Sequence, residues 1–349
     1  MKTENLYHLY YEYLGGHRKK RDAIAFLHKI LEKAEAENAG VYIHCVRGSL
    51  SAREGNYKKA TDWFKRSLKI DGDFAFPWYE LGSIAIAQNK LRNAEAYYKK
   101  ALEIDSRLAH AWNKLGVIYW IKQEYEKAES LLKKSIELDG NNANPWNNLG
   151  LICSTKKNFT GAMDYYKKAL DIDPTLPHSY FNMAEDYAQQ KKFKEAEEYF
   201  KKVIEADDEQ PGHWNKLGNL YYEQGNDPEA ERCYLKALQL ADDYHSPYYN
   251  IGLLLIKEKK YEEALKYFKR AKELFKKAKD TESTREANDH IKKLTKAINR
   301  EAEQKKKQTL SSDMFLGAVK LYFALGCIAA IILAGSTLYG ILFGWTSAV

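Results

Sequence analysis

Large and small side chains recur along this chain on a strict 34-residue spacing. One row is Trp78, Trp112, Trp146, Tyr180, Trp214 and Tyr248; a second, of small residues, is Gly48, Gly82, Gly116, Gly150, Ala184, Gly218 and Gly252. A third is Ala60, Ala94, Ala128, Ala162, Ala196, Ala230 and Ala264, with Phe64, Tyr98, Leu132, Tyr166, Phe200, Tyr234 and Phe268 four residues beyond each Ala. Within a period the apolar residues fall at helical spacing, as in Trp112, Leu115, Gly116 and Tyr119. Short polar breaks such as Lys122-Gln123-Glu124 split each period into two helices, and Asp139-Gly140 and Asp173-Pro174 end the second one. Asp227-Pro228 suits a helix start and stands where other periods hold Tyr57, Leu91, Tyr125, Phe159, Phe193 or Tyr261. The small residue in each period lets two helices approach, and the large ring fills the space beside that contact. Seven uninterrupted periods predict an all-α chain of antiparallel helix pairs stacked into a solenoid.

The pattern changes at both ends. Before residue 41 it survives weakly in Leu14-Gly15, Ala23, Leu27 and Ile30, which predicts a degenerate helix pair over 1–40 as the N-terminal cap. After the last period, Ala287, Ile291, Leu294 and Ile298 form one apolar stripe on a charged helix, suited to cover the exposed end of the stack. A capping helix and basic segment over 275–308 is therefore expected, then a short linker over 309–320. From Leu321 to Trp345 every residue is apolar or small, and no charge follows Lys320. A helix of that length reaches across the roughly 30 Å hydrocarbon core of a bilayer. The expectation is one transmembrane helix over 321–345 and a short tail over 346–349. Small residues at four-residue steps, Gly326, Ala330 and Ala334 on one row and Ser336, Gly340 and Gly344 on another, are candidates for packing against a membrane neighbour.

The rows resemble the tetratricopeptide repeat, closely over residues 41–274. The family pattern stands as Trp112, Leu115, Gly116, Tyr119, Ala128, Leu132 and Ser135, and as Trp146, Leu149, Gly150, Ala162, Tyr166, Ala169 and Pro174. Departures are local: Ala85 and Cys153 replace the tyrosine, and Tyr180 and Tyr248 the tryptophan. The resemblance implies a right-handed superhelix whose first helices line a concave, peptide-binding groove. Its groove positions fall one and two residues after the Trp/Tyr row: Asn113 and Lys114, Asn147 and Asn148, Phe181 and Asn182, Asn215 and Lys216, Tyr249 and Asn250. Asn219 and Tyr222 follow on the same face. An asparagine carries both donor and acceptor, so a row of them can hold an extended peptide by its backbone. The family's carboxylate clamp for chaperone tails is matched only by Asn182 and Lys216; Asn147 and Leu151 stand where Lys and Asn belong, and Gly212 where a second base belongs.

Charge and chemistry narrow the function. The net charge is +7, from 55 Lys and Arg against 48 Asp and Glu. Eighteen of these bases and 10 of these acids lie between Lys257 and Gln308, so the basic excess sits just before the apolar stretch and the repeats are near neutral. That argues against an RNA-binding helical-repeat protein, which needs a basic groove. Lys305–Lys307 and Lys320 flank the apolar stretch on one side, which orients the repeats toward the cytoplasm. The four cysteines are scattered and read as reduced thiols, and the start of the chain lacks a signal-peptide core. No nucleophile–base pair, phosphate loop or metal spacing stands out, so neither enzyme activity nor a cofactor is expected. The expectation is a membrane-anchored scaffold that recruits a protein or peptide, or alternatively an assembly factor that docks through its membrane helix. The endoplasmic reticulum is the expected membrane in a eukaryote and the plasma membrane in a prokaryote.

Overall fold

The computed structural model describes residues 2–15 and 20–342, with side chains over 4–15 and 21–325. Those residues form 17 helices and no strand. They divide into two compact units, Met1–Gln224 and Gly225–Val349. The first holds α1 (Lys2–Gly15), α2 (Lys20–Ala36), α3 (Gly40–Arg53), α4 (Tyr57–Ile70), α5 (Ala75–Ala87), α6 (Leu91–Ile104), α7 (Ala109–Ile121), α8 (Tyr125–Leu138), α9 (Ala143–Thr155), α10 (Phe159–Ile172), α11 (Pro177–Gln189), α12 (Phe193–Ala206) and α13 (Pro211–Glu223). The second holds α14 (Asp227–Leu240), α15 (His245–Lys257), α16 (Tyr261–Lys277) and α17 (Thr281–Leu342).

The 34-residue rows are the packing of each pair. A Cβ placed on Gly82 would meet the Tyr98 ring at 2.6 Å, and one on Gly116 would meet Leu132 at 2.8 Å. Gly48 faces Phe64, Gly150 faces Tyr166 and Gly252 faces Phe268 in the same way. The small residue on the first helix is thus the seat of the large one on the second, and Phe64, Tyr98, Tyr166 and Phe268 are fully buried. The turn between the two helices repeats as well. Asn89, Gln123, Lys157, Lys191 and Lys259 adopt φ of 56°, 62°, 59°, 58° and 60°, with Gly55 and Gly225 at the equivalent positions. At the first of these, Lys90 N donates to Ala85 O at 2.8 Å and Asn89 N to Ile86 O at 2.8 Å, which caps the carbonyls that α5 leaves open.

The Trp/Tyr row has one task. Trp112 Nε1 donates to Ser106 O at 2.8 Å, and Trp214 Nε1 to Asp208 O at 3.2 Å. Tyr180 Oη donates to Pro174 O at 3.0 Å, and Tyr248 Oη to Asp242 O at 3.0 Å. Each clasps a carbonyl six residues upstream, in the loop that enters its helix. Either ring can deliver a donor there, which explains the exchange of Trp for Tyr. Ser135, at a position held by Ala in several pairs, donates from Oγ to Ala109 O at 2.8 Å across the pair.

Three end features differ from or extend the sequence expectations. Two helices do occupy the first 40 residues, but α1 does not sit at the end of the stack as a cap. Its side chains run along the first helices of the next three pairs, where Tyr10 meets Ser49 and Glu80, and Tyr11 meets His110. At the other end, Ala287 and Leu294 of α17 are buried, His290 stacks on Phe268 at 4.7 Å, and Lys272 Nζ donates to Asn288 Oδ1 at 2.7 Å. That part of α17 covers the last pair. The stretch over 309–320, expected as a linker, is helical and continuous with the cap. It holds no Pro, and its single Gly317 costs only about 1 kcal/mol in a helix.

Every described residue from Glu301 to Leu325 is exposed. Among the described residues no helix is long and apolar enough to cross a membrane, so the expected span is not found there. Most of that span lies beyond the described side chains. The packing candidates Gly326, Ala330, Ala334, Ser336 and Gly340 fall among residues whose side chains are not described, and Gly344 lies outside the described residues altogether.

Candidate ligand face

The face in question is built from the first helix of each pair, because the 34-residue period returns the same offset to the same side of the stack. In the first unit it brings together Asn113, Asn147, Asn148, Asn182 and Lys216. Asn148 Nδ2 donates to Asn113 Oδ1 at 2.8 Å, and Asn182 Nδ2 donates to Asn147 Oδ1 at 3.0 Å. In both bonds the residue two after the Trp/Tyr reaches back to the residue one after it in the preceding pair. Ser179 Oγ adds a second hydrogen bond to Asn147 Oδ1 at 3.1 Å. Asn113, Asn147 and Asn215 are buried, so these amides are first of all braces between successive first helices. An amide has more than one donor and acceptor, so a braced asparagine can still bond to a ligand laid over it. Phe181 lies edge-on to Phe200 at 5.9 Å and beside His213 at 5.8 Å, supplying apolar surface within the same row.

The two lysines behave differently. Lys216 Nζ is paired with Glu185 Oε2 at 3.1 Å, which leaves it less available to an acidic ligand and further weakens the partial clamp seen in the sequence. A cavity of about 310 Å³ beside it is lined by Glu185, Gln189, Phe200, Lys216 and Asn219. Lys114 has no carboxylate within ion-pair distance among the described residues. Its side chain is exposed, yet protein on the surrounding helices desolvates the ammonium and pushes its pKa down, with Glu80 opposing and Arg53 adding to the effect. Exposure and desolvation agree if the group is reachable by water but ringed by protein, as in a groove. Asn219 and Tyr222 lie on α13 of the first unit, while Tyr249 and Asn250 lie on α15 of the second.

Sequence reading missed several partners of this face. Ser179 and Glu185 lie one before and five after Tyr180, so offset could have found them. Asp186 could not be anticipated: it is buried and accepts a hydrogen bond from Ser154, and among the described residues its Oδ2 and the neighbouring Tyr166 hydroxyl have no hydrogen-bond partner. Burial pushes its pKa up to about 6, against the pull of the Ser154 hydrogen bond. Asn158 accepts from Gly161 N at 3.1 Å and caps α10. Among the described residues no group of His, Cys, Asp or Glu could hold a metal ion.

A stack of helix pairs with a recurring polar row on one helix of each pair defines a helical-repeat interaction protein. Models of the tetratricopeptide repeat match residues 77–107, 107–175, 143–209, 181–245 and 246–277, which together cover most of the chain. The chain belongs to the tetratricopeptide repeat family. Comparison with curated protein sequences finds no match. Among solved structures, the fold is similar to that in the APC/C hetero-tetramer Cut9–Hcn1, with a TM-score of 0.64 at 16% identity, covering 79% of this chain and 52% of that one. It is also similar to yeast Tom70, with a TM-score of 0.58 at 17% identity, covering 81% of this chain and 59% of that one. The chain thus spans between half and three fifths of the lengths of these two structures.

Proposed function

We propose that this protein is a scaffold that holds a protein or peptide on the first-helix face of its repeats and is tethered to a membrane by its C-terminal apolar stretch. The observation that carries the binding half is the braced amide row, Asn113–Asn148 and Asn147–Asn182. Braces fix the amides in one geometry, so a ligand gains their hydrogen bonds without the entropic cost of ordering them. The Cut9–Hcn1 structure is a hetero-tetramer, so its helical-repeat fold is found in a protein assembly. The tether rests on the sequence after Lys320, which is uncharged, and on the exposure of Leu321, Tyr322, Phe323 and Leu325 just inside it. The basic flank at Lys305–Lys307 adds attraction to an anionic leaflet, on the order of 1 kcal/mol per lysine near the surface.

Proximity labelling from the amino terminus in cells tests both halves. Three chains are compared: wild type, the Asn147→Ala/Asn182→Ala variant, and a chain lacking 321–349. A scaffold loses a set of protein neighbours in the amide variant, keeps that set in the truncated chain, and loses membrane neighbours only in the latter. Neighbours lost in the truncated chain alone would favour an assembly factor that docks through its membrane helix. An unchanged set in the amide variant sinks the proposed face, and retained membrane neighbours after truncation sink the tether.

A further inference from the structure

The amino-terminal helix is seated on the repeats in the way a ligand would be. Leu6, Tyr10 and Tyr13 of α1 recur at i, i+4 and i+7 and are buried, the first two completely. That is the anchor spacing of an amphipathic helix laid into a groove. Tyr10 inserts beside Phe76 with ring centroids 4.7 Å apart, and its hydroxyl donates to Glu80 Oε1 at 2.9 Å. Ser49 Oγ shares that site, donating to Glu80 Oε1 at 3.0 Å and lying beside the Tyr10 hydroxyl. Arg53 Nε donates to Tyr13 Oη at 3.0 Å, and Tyr7 Oη donates to Asp105 Oδ2. Tyr11 packs on His110 at 4.6 Å.

The residues that receive α1 occupy ligand-face offsets. Glu80 lies two after Trp78, the offset of Lys114, Asn148, Asn182 and Lys216 in later pairs. Ser49 lies five after His44, which stands at the Trp position of its pair; Asn219 has that offset from Trp214. Phe76 and His110 each lie two before their tryptophan. The same face therefore runs through α3, α5 and α7, and there it is covered. Beside α1 an open cavity of about 280 Å³ remains, lined in part by Tyr13, Leu14, Arg53, Glu80 and Lys114. The polar ends of the tyrosines match the polar groups beneath them: two carboxylates accept from hydroxyls and one guanidinium donates to a hydroxyl.

We infer that the α3–α7 part of the face is a docking groove for an amphipathic helix with Leu and Tyr anchors at i, i+4 and i+7, that α1 is its resident occupant, and that a partner helix of this chemistry enters by exchange with α1. The inference rests on the first-helix face being the ligand face, and it adds a second class of ligand to the peptide proposed for the asparagine row.

A fluorescently labelled synthetic peptide with the sequence of residues 2–15 tests it by anisotropy against the full chain. The Tyr7→Ala/Tyr10→Ala/Tyr13→Ala variant loosens the resident helix, so the peptide should bind it at least ten-fold more tightly than wild type. Adding Phe76→Ala to that variant should abolish binding, and a peptide with its three matching tyrosines changed to Ala should not bind. Absence of binding to the loosened chain overturns the inference, as does equal binding to both chains. Loss of a cooperative melt in the loosened chain also overturns it, since α1 would then be part of the core. The proximity-labelling comparison reads Asn147 and Asn182, so failure of the peptide assay leaves that result standing, and failure of the labelling result leaves this one readable.

Discussion

Within the first unit, the two ends of the first-helix face are treated in opposite ways by the same repeat. Over α3–α7 the offsets after the Trp position hold Ser49, Tyr79 and Glu80, and α1 lies over them. Over α9–α11 the offsets one and two after the Trp/Tyr, where α5 has Tyr79 and Glu80, hold Asn147, Asn148, Phe181 and Asn182, and the three amides are braced to amides of neighbouring first helices rather than to an added helix. The packing beneath is alike at both ends: Gly82 seats Tyr98 as Gly150 seats Tyr166. The period therefore sets a scaffold, and a few offsets outside the contact of small residue and ring set whether the face is covered by α1 or braced within itself. A buried carboxylate such as Glu80 needs donors supplied to it, and a helix of tyrosines supplies them; a row of amides can satisfy itself.

The largest expected effect strikes both ends equally. Gly82→Leu and Gly150→Leu each force a side chain into a buried ring, and each should destabilise its pair by about 3 kcal/mol, lowering the thermal midpoint of the full chain. A large effect at one site and none at the other would break the claim that the packing beneath is shared.

The next effect has the opposite sign. The Asp186 carboxyl has a folded-state pKa raised to about 6 from its usual value of 3.8, so the folded state binds the proton more tightly than the unfolded chain does. Its burial then costs stability above about pH 6, and the cost fades as pH falls toward 4. Asp186→Asn keeps an acceptor for Ser154 and offers an amide donor near the Tyr166 hydroxyl. It should stabilise the chain by about 2 kcal/mol at pH 7.5 and by little at pH 4, read from urea melts at the two values. A gain of the same size at both pH values would show that packing, not ionisation, is the cause.

Smaller effects separate the two ends. Asn147→Ala removes the acceptor of both Ser179 and Asn182 and should cost about 1–2 kcal/mol; a double-mutant cycle with Asn182→Ala should show the two to be coupled. Tyr10→Phe keeps the ring on Phe76 but withdraws one donor from Glu80, for about 1 kcal/mol, and leaves the asparagine end unchanged. A cycle showing Asn147 and Asn182 to be independent would remove the brace from the comparison. The smallest effect lies in the turns. Gln123→Gly and Lys157→Gly relieve a left-handed backbone at φ 62° and 59°, and each should raise stability by about 0.5 kcal/mol in thermal melts.

The repeat architecture was legible because its signals are local and recurrent. Gly82, Ala94 and Tyr98 announce one helix pair, and the same spacing announces the next. The swap of Trp for Tyr at residues 180 and 248 was visible but became intelligible only with the loop carbonyl that both rings reach. The asparagine row was visible too, yet its bracing was not: the partner of Asn148 is Asn113, and only stacking brings residues 35 apart into contact. The placement of α1 was illegible, since Leu14-Gly15 suggested a terminal pair and no periodicity says that a helix leaves the end of a stack to lie along its side. The continuity of α17 through 309–320 was not expected, although that stretch holds no Pro and a single Gly.

By itself the sequence determined the all-α class, the number and register of the pairs and the residues that pack them. These follow from a 3.6-residue periodicity within each helix and a 34-residue periodicity between pairs, both written in neighbouring side chains. Only the tertiary structure decided which amides brace one another, that Lys216 is tied to Glu185 while Lys114 is not, and that α1 covers part of the face. The reason is physical: hydrogen-bond partners and burial are fixed by which helices are stacked side by side, and an isolated segment carries no record of its neighbour across the stack.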